Sequence, residues 1–459
     1  MSFSSYGNYK VTNVAGLGEV PAHWNVVPLK HVVETPITDG PHETPEFIDD
    51  GIPFVSAEAV SSGEINFSKS RFISHADHHK YSKKYKPRRD DIFMVKSGAT
   101  TGVVALVSTD RDFNIWSPLA VVRCSRLAFP RYVLQTMRSR NFQESVILNW
   151  SFGTQQNIGM SVIENLRIPL PPISEQNQIA RFLDHETARI DALIEEQQRL
   201  IELLKEKRQA VIFHAVTKGL DPTVPMKDSG AEWLGEVPAH WDVIPTNYRY
   251  EIQLGRMLNE QRAQGDHMKP YLRVFDVQWN AINTTDLPLM DFPPEVQSMY
   301  RLKSGDLMVN EGGSYVGRSA IWRGDLDECY YQKALHRLRA RDAKSDTAEF
   351  FLHVMEMATL KGVFVAGGNL TTIDHLTAEQ LRQYRFAFPP LKEQLQIAEK
   401  IAEVVSKIQN TTTQAEQLIG FLKERRSALI SAAVTGKIDV RGWKPPVSAH
   451  SPELEEEAV

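Results

Sequence analysis

The chain carries one pattern twice. Residues 17–24 read LGEVPAHW, and the same eight residues return at 234–241, 217 positions later. Residues 171–180 read PPISEQNQIA and residues 389–398 read PPLKEQLQIA, at an offset of 218. LLKEKRQAVIFHAVTKG (203–219) is answered at that same offset by FLKERRSALISAAVTGK (421–437). Self-similarity of this kind marks two copies of one unit, each running entry motif, variable segment, Pro-Pro and helix. The variable segments, 25–168 and 242–386, keep only faint anchors. Asp91-Ile92-Phe93-Met94-Val95 parallels Asp306-Leu307-Met308-Val309-Asn310 at an offset of 215. Gly153-Thr154-Gln155-Gln156-Asn157-Ile158 parallels Gly368-Asn369-Leu370-Thr371-Thr372-Ile373 at the same offset. Two copies of one fold would leave this trace if their surfaces had diverged while the scaffold held.

Local periodicity fills in the units. Short β-branched runs at 103–107, 119–122 and 272–277 predict strands. Apolar-periodic stretches at 130–148 and 347–361 predict helices, so each variable segment reads as a mixed domain. In the first repeated helix, Leu183, Ile190, Leu193, Leu200, Leu204 and Val211 fall on alternating steps of three and four, with Glu186, Gln197 and Lys207 in the gaps. In the second, Ile401, Val404, Ile408, Leu418, Leu422 and Leu429 hold the same register, with Thr411, Ala415 and Arg425 as exceptions. That spacing predicts one apolar seam along each helix, as in a coiled coil. Pro171-Pro172 and Pro389-Pro390 precede the helices, Ser174 is the expected N-cap, and Gly219 and Gly436 are the expected stops. At about 40 residues, each helix would reach about 60 Å. Neither folds alone with a bare seam. The simplest partner for each is the other, in antiparallel or circularised packing; dimerisation is the plainer alternative. The expected fold is α/β: two globular α/β domains separated by two long helices that pair as an antiparallel coiled coil, with a pseudo-two-fold internal repeat.

Composition narrows the chemistry. With 459 residues and 42% hydrophobic content, there is material for more than one core. Only Cys124 and Cys329 occur, which excludes a disulfide scaffold and a thiolate metal site and fits a reducing compartment. No apolar run approaches the ~20 residues that span a bilayer. The start, MSFSSYGNYKVTN, lacks a secretory pattern, so a cytoplasmic protein is expected. The net charge of −5 is not a global nucleic-acid signature, and Glu453, Glu455, Glu456 and Glu457 in an acidic tail contribute to it. No phosphate-cradling GxxxxGK[ST], HExxH, G-x-S-x-G or CxxC is present. Asp291-Phe292-Pro293-Pro294 reads as a turn, and His75, His78 and His79, in a basic and loop-like neighbourhood, do not read as a metal site.

Candidate contacts remain. Residues 80–89, KYSKKYKPRR, interleave Lys80, Lys83, Lys84, Lys86, Arg88 and Arg89 with Tyr81 and Tyr85, a composition that a polyanion selects; a solvated loop is the bland reading. The glycine-rich loops Ser97-Gly98-Ala99-Thr100-Thr101-Gly102, flanked by Lys96, and Gly312-Gly313-Ser314-Tyr315-Val316-Gly317 occupy equivalent places. Each is either a tight turn or a loop that lets the backbone approach a phosphate. The second segment spreads its positive charge over Arg318, Arg323, Lys333, Arg337, Arg339 and Arg341. Gln155, Gln156, Asn157, Asn310 and Glu311 have side chains suited to base edges, and Asn369, Thr371 and Thr372 are the second-copy counterparts of the first loop.

The duplicated LGEVPAHW, the Pro-Pro-x-x-Glu-Gln-x-x-Ile-Ala helix starts (Pro171 to Ala180, Pro389 to Ala398) and the helix ends running from Lys-Glu-Lys/Arg-Arg to Ala-Val-Thr closely resemble the specificity subunit of type I restriction–modification systems. The resemblance covers about 17–440. It implies two target-recognition domains (1–168 and 222–386), each reading one half of a split DNA site, and two conserved spacer helices (169–221 and 387–440), followed by a flexible tail at 441–459. It implies that the helices pair as a ruler and dock two methyltransferase subunits, which recruit two translocase–nuclease subunits. S-adenosylmethionine, ATP and Mg2+ are then expected on those partners, with no cofactor and no catalysis on this chain, in a bacterial or archaeal cytoplasm. A non-DNA coiled-coil scaffold is the competing reading; a fused restriction enzyme–methyltransferase fails on length and motifs.

Overall fold

The computed structural model describes residues 4–14, 16–151, 156–364 and 375–445. The chain divides into two compact units, one made of Met1–Gln198 with Glu416–Val459 and the other of Arg199–Ala415. Each unit is built on a four-stranded antiparallel sheet. In the first the strand order is Thr38–Asp39, Leu119–Val122, Ile92–Val95, Val104–Leu106; in the second it is Tyr250–Leu254, Leu335–Ala340, Leu307–Asn310, Ser319–Ile321. Ile92 pairs with Leu106 and Leu307 with Ile321, so the duplicated anchors are the same interior strand of each sheet. Both strands are buried along their whole length, which explains why IFMV and LMV run continuously apolar rather than alternating.

A second, smaller sheet also repeats. Ile52–Val55 lies parallel to Asn114–Ile115 and antiparallel to Arg71–Ile73; Met268–Leu272 lies parallel to Tyr330–Tyr331 and antiparallel to Leu289–Asp291. Asp91 and Asp306, just ahead of the interior strands, are buried. Each is held by an arginine from a neighbouring strand or its end, Arg123 at 2.7 Å and Arg339 at 2.6 Å. Burying a carboxylate is costly unless such a partner is paired with it.

The variable segments are closed at their bases. Asn25–Pro28 pairs antiparallel with Arg167–Leu170, and Asp242–Pro245 with Arg385–Phe388. Each segment therefore leaves and re-enters the scaffold at adjacent points.

The long helices span Ile173–Lys218 and Leu391–Val434. In the first unit, Phe182 and Leu183 near the start of one helix share a core with Ile430, Ala433 and Val434 at the end of the other. In the second unit, Ile212, Ala215 and Val216 share a core with Ile397 and Ile401. Full burial of such a side chain stabilises by roughly 1.5–3 kcal/mol. Gly219 and Gly436 end the helices at positive φ (75° and 73°), as expected.

Several expectations need correction. Leu193 and Leu418 are 45% and 43% exposed, while their neighbours Ile194 and Ile419 are half-buried. A strict seven-residue count drifts by ~20° per heptad on an α-helix, which displaces the seam by about one position in mid-helix. Ala415, counted as an exception, is 4% exposed and so buried. Ser174 lies inside the first turn, where Glu175 N–H already donates to the Pro172 carbonyl, so it is not the cap. The 130–148 stretch is two helices, Pro130–Arg138 and Arg140–Asn149, broken at Ser139. The 272–277 run ends its strand at Leu272 and continues as a short 3-10 turn, Val274–Asp276.

Candidate nucleic-acid interface

The basic run begins on a helix, His75–Ser82, capped by the Ser74 hydroxyl, which accepts from Asp77 N–H at 3.0 Å. His75, His78 and His79 are thus helical, not loop-like, and His78 Nδ1 bonds the Asn114 amide at 2.6 Å. Among the described residues no group of His, Cys, Asp or Glu could hold a metal. The two tyrosines turn inward. Tyr81 is buried against Phe54. Tyr85 donates to Asp91 Oδ2 at 2.6 Å under the Arg123 guanidinium, and burial followed by the Asp91 charge pushes its phenol well up. They serve the core and are not stacking platforms.

Most of the cations in this run have carboxylate partners. Lys80 meets Glu43 at 2.5 Å, Lys84 meets Asp39 at 2.6 Å, Lys86 meets Asp112 at 2.7 Å and Arg89 meets Asp110 at 2.5 Å. Lys83 and Arg88 are exposed, with no ion pair among the described residues. Asp39 is a hub: Lys84, Lys96 at 2.8 Å and His42 at 3.2 Å converge on it. Burial works against its ionisation, but the hydrogen bonds from Lys84 and Lys96 outweigh that and hold the carboxyl below its ordinary range.

Lys96 opens the first glycine-rich loop. Gly98 (φ 100°) donates its N–H to the Gln156 carbonyl at 3.0 Å, Ser97 bridges to Asn157, and Ile158 N–H donates to the Lys96 carbonyl. The structure thus gathers Lys96, Ser97, Thr100, Thr101, Gln156 and Asn157 on one surface; Gln155 lies outside the described residues. The loop is pinned behind, where Gln143 Nε2 donates to the Gly102 carbonyl at 2.9 Å. A Cβ on Gly102 would sit 2.7 Å from Gln143 Oε1, and one on the equivalent Gly317 would sit 2.2 Å from Thr359 Oγ1. Both positions have positive φ, so each loop needs its glycine twice over.

In the second unit the equivalent loop bridges through Gly312 to His375, and Leu376 N–H donates to the Glu311 carbonyl. Ser314 and Lys333 are exposed, and the Arg318 guanidinium stacks 4.6 Å over Tyr315 and bonds Gln278. Asn369, Thr371 and Thr372 lie outside the described residues. Two candidates are corrected. Asn310 is fully buried, its amide donating to the Val277 carbonyl at 2.9 Å. Arg337 is 1% exposed and bound to Glu251 and the Met299 carbonyl. Neither can reach a base. The residues missed are Arg273, Phe275 and Gln278: Arg273 lies 4.1 Å over the Phe275 ring, which is exposed, beside the Arg318 cluster. An Arg-x-Phe at the end of an apolar run was the available signal.

The repeated motifs are clamps. The Trp24 and Trp241 indoles are fully buried, and each donates its N–H to the helix glutamate, Trp24 to Glu175 at 3.0 Å and Trp241 to Glu393 at 3.1 Å. His23 and His240 meet the same glutamates at 2.7 and 2.8 Å. The next residue ties down the domain. Gln176 bonds the Leu127 and Pro171 carbonyls and Phe129 N–H; Gln394 bonds the Ser345 and Pro389 carbonyls and Thr347 N–H. The residues ahead of the entry motifs differ in sequence but form the same hairpin, Tyr9–Val11 with Glu19–Pro21 and Met226–Asp228 with Glu236–Pro238. Burial pushes Cys124 and Cys329 up to about 12, so neither thiol is an available nucleophile. Among the described residues no helix is long and apolar enough to cross a membrane.

Known proteins share this arrangement. The model of the type I restriction modification DNA specificity domain matches residues 21–204 and again 251–419. The type I restriction enzyme EcoKI specificity subunit of Escherichia coli K12 is 20% identical, covering 95% of this chain and 93% of its own length. The MjaVIII specificity subunit of Methanocaldococcus jannaschii is 23% identical, covering 96% and 98%. In fold, the chain is similar to one solved in work on complex assembly and conformational transition of the type I R-M system (TM-score 0.64, 18% identity, 91% of this chain and 99% of that one). It is also similar to the HsdS subunit from Thermoanaerobacter tengcongensis (TM-score 0.54, 17% identity, 91% and 98%). With both copies matched, the chain belongs to the type I restriction modification DNA specificity domain family.

Proposed function

We propose that this chain is the DNA-sequence specificity subunit of a type I restriction–modification enzyme and catalyses nothing itself. The observation that carries the reading is the pairing of one clamp, repeated residue for residue, with two dissimilar loop surfaces, each on its own copy of one four-stranded sheet. That is what a reader of two different half-sites requires. In the first domain (1–168), Lys83, Arg88, Lys96, Ser97, Thr100, Thr101, Gln156 and Asn157 face the duplex. In the second (222–386), Glu311, Ser314, Tyr315, Arg318 and Lys333 do so, joined by Arg273 and Phe275. Cations position the backbone and forked side chains read bases.

The helices act as the ruler, paired as an antiparallel coiled coil. In support, the start of each packs in one core with the end of the other. They dock two methyltransferase subunits, which bring two translocase–nuclease subunits. S-adenosylmethionine, ATP and Mg2+ belong to those partners, in the cytoplasm. The test is selection from a random duplex library by the chain with its methyltransferase partner. A bipartite motif is expected. Exchanging 25–168 for a relative's segment should change one half only, and a short insertion near 197 should change only the gap. Salt-sensitive binding without a motif would leave the scaffold reading in its place.

A further inference from the structure

A groove of about 610 Å³ runs in the first unit between the recognition domain and the long helices. Three cations face it: Arg138 at the end of the Pro130–Arg138 helix, and Lys423 and Arg426 from the second long helix. Arg426 is matched by Asp191 at 2.8 Å. Arg138 has no ion pair among the described residues, and its Nη2 donates only to the Gly63 carbonyl at 2.8 Å. Burial, and then the nearby Arg426 charge, push the Arg138 guanidinium below its ordinary range. Lys423 is exposed and likewise without an ion pair among the described residues. Among the described residues, Glu64 is the only other carboxylate lining the groove.

The second unit serves as an internal control. Arg208 is the counterpart of Arg426, 218 positions earlier, and it meets Glu356 of its own recognition domain at 2.7 Å. Glu356 is one turn along the helix from His353, the counterpart of Arg138 at the 215 offset. One repeat thus neutralises its helix arginine with a domain carboxylate, while in the other Asp191 of the first long helix does so and a second guanidinium, Arg138, stands nearby with no ion pair among the described residues. With Arg426 matched by Asp191, the unpaired positive charge of the groove rests on Arg138 and Lys423 against Glu64, and like charges gathered there favour an anion.

The groove adjoins the end of the first glycine-rich loop. Its wall includes Gly102, Val103 and Val104, where the first glycine-rich loop ends, together with Ser61 and Ser62. We propose that this groove is a phosphodiester cradle, in which Arg138, Lys423 and Arg426 hold a backbone phosphate of the duplex next to the half-site read by the first domain. The proposal rests on the reading of the chain as a DNA specificity subunit. Guanidinium forks match phosphate oxygens, and such a contact fixes register without adding sequence information. Because the second unit has His353 where the first has Arg138, the cradle makes the two halves of the site mechanically unequal.

The full chain with its methyltransferase partner is tested on its selected duplex. Arg138→Gln and Lys423→Gln should each weaken binding about tenfold and lower the slope of log affinity against log salt by about one, with the selected motif unchanged. One uncharged methylphosphonate beside the first half-site should weaken wild-type binding and have little further effect on the double variant. That readout needs no protein substitution in the wild-type arm. Unchanged affinity and slope, or a loss confined to particular bases, overturns the cradle. So does inorganic phosphate raising the Tm of the wild type, but not of Arg138→Gln, with DNA binding intact in both, since the groove would then serve a free anion. Absence of any motif for the wild-type complex would instead overturn the underlying reading.

Discussion

The two clamps and the two glycine-rich loops descend from the same duplication but differ in what they keep. His23, Trp24, Glu175 and Gln176 are reproduced by His240, Trp241, Glu393 and Gln394 with bond lengths within a few tenths of an ångström. The loops keep two glycines each, Gly98 and Gly102 against Gly313 and Gly317, and the aspartates at their strand bases, Asp91 and Asp306. Around those fixed points one copy presents Thr100, Thr101 and Asn157, the other Tyr315 and Arg318. The buried side of each domain is constrained by packing and by unpaired polar groups. The outward side is constrained by the ligand alone, so it is free to differ.

The comparison breaks most readily at the indoles. Trp24→Ala and Trp241→Ala should each cost about 3–5 kcal/mol, and nearly the same amount, since both remove a fully buried ring and its bond to glutamate. Denaturant midpoints check this; a gap of more than about 2 kcal/mol between them would show that the clamps are not energetically equivalent. Gln176→Leu and Gln394→Leu come next, at about 2–3 kcal/mol, because each leaves buried carbonyls and one N–H without partners.

Acid should then separate the units. Folding lowers the Asp39 carboxyl, so its contribution is complete above the unfolded value and is lost as pH falls through the folded one. Burial raises Asp346 despite Arg249 and Gln394, so its sign is opposite: the folded state holds that proton more tightly, and stability falls as pH rises toward the raised value. Midpoints of Asp39→Asn and Asp346→Asn across roughly pH 3–7 should lose the two opposing slopes. The smallest effect sharpens the outward side. Lys83→Ala, at an exposed and unpaired cation, should leave the motif intact and lower the salt slope of DNA binding by about one.

The duplication, the interior strands and the helix stops were legible because each is written as local pattern. The clamp was legible only as two separate motifs. No spacing rule says that the Trp of one meets the Glu of the other 151 positions later. The same limit hid the state of the basic run, since Asp39, Asp110 and Asp112 are brought to it by the sheet. Asn310 misled because an amide at the end of a buried strand looks like a base reader; its use, closing on the Val277 carbonyl, depends on a neighbour 33 residues away. The helix seam was right at its ends and one position off in the middle, where a strict heptad count departs from the true helical repeat.

The division of the chain bears on its synthesis. The second unit is one uninterrupted stretch, Arg199–Ala415, and all of it can leave the ribosome before translation ends. The first unit needs Ile430, Ala433, Val434 and Val440 to finish its core, so its N-terminal part must wait until the whole of the second unit has been translated. During that interval the seat around Pro21 and Trp24, which Gly436 will later fit closely, stands open on the nascent chain. Of the two units, the one that starts first is therefore completed second, and chaperone demand should be greater there.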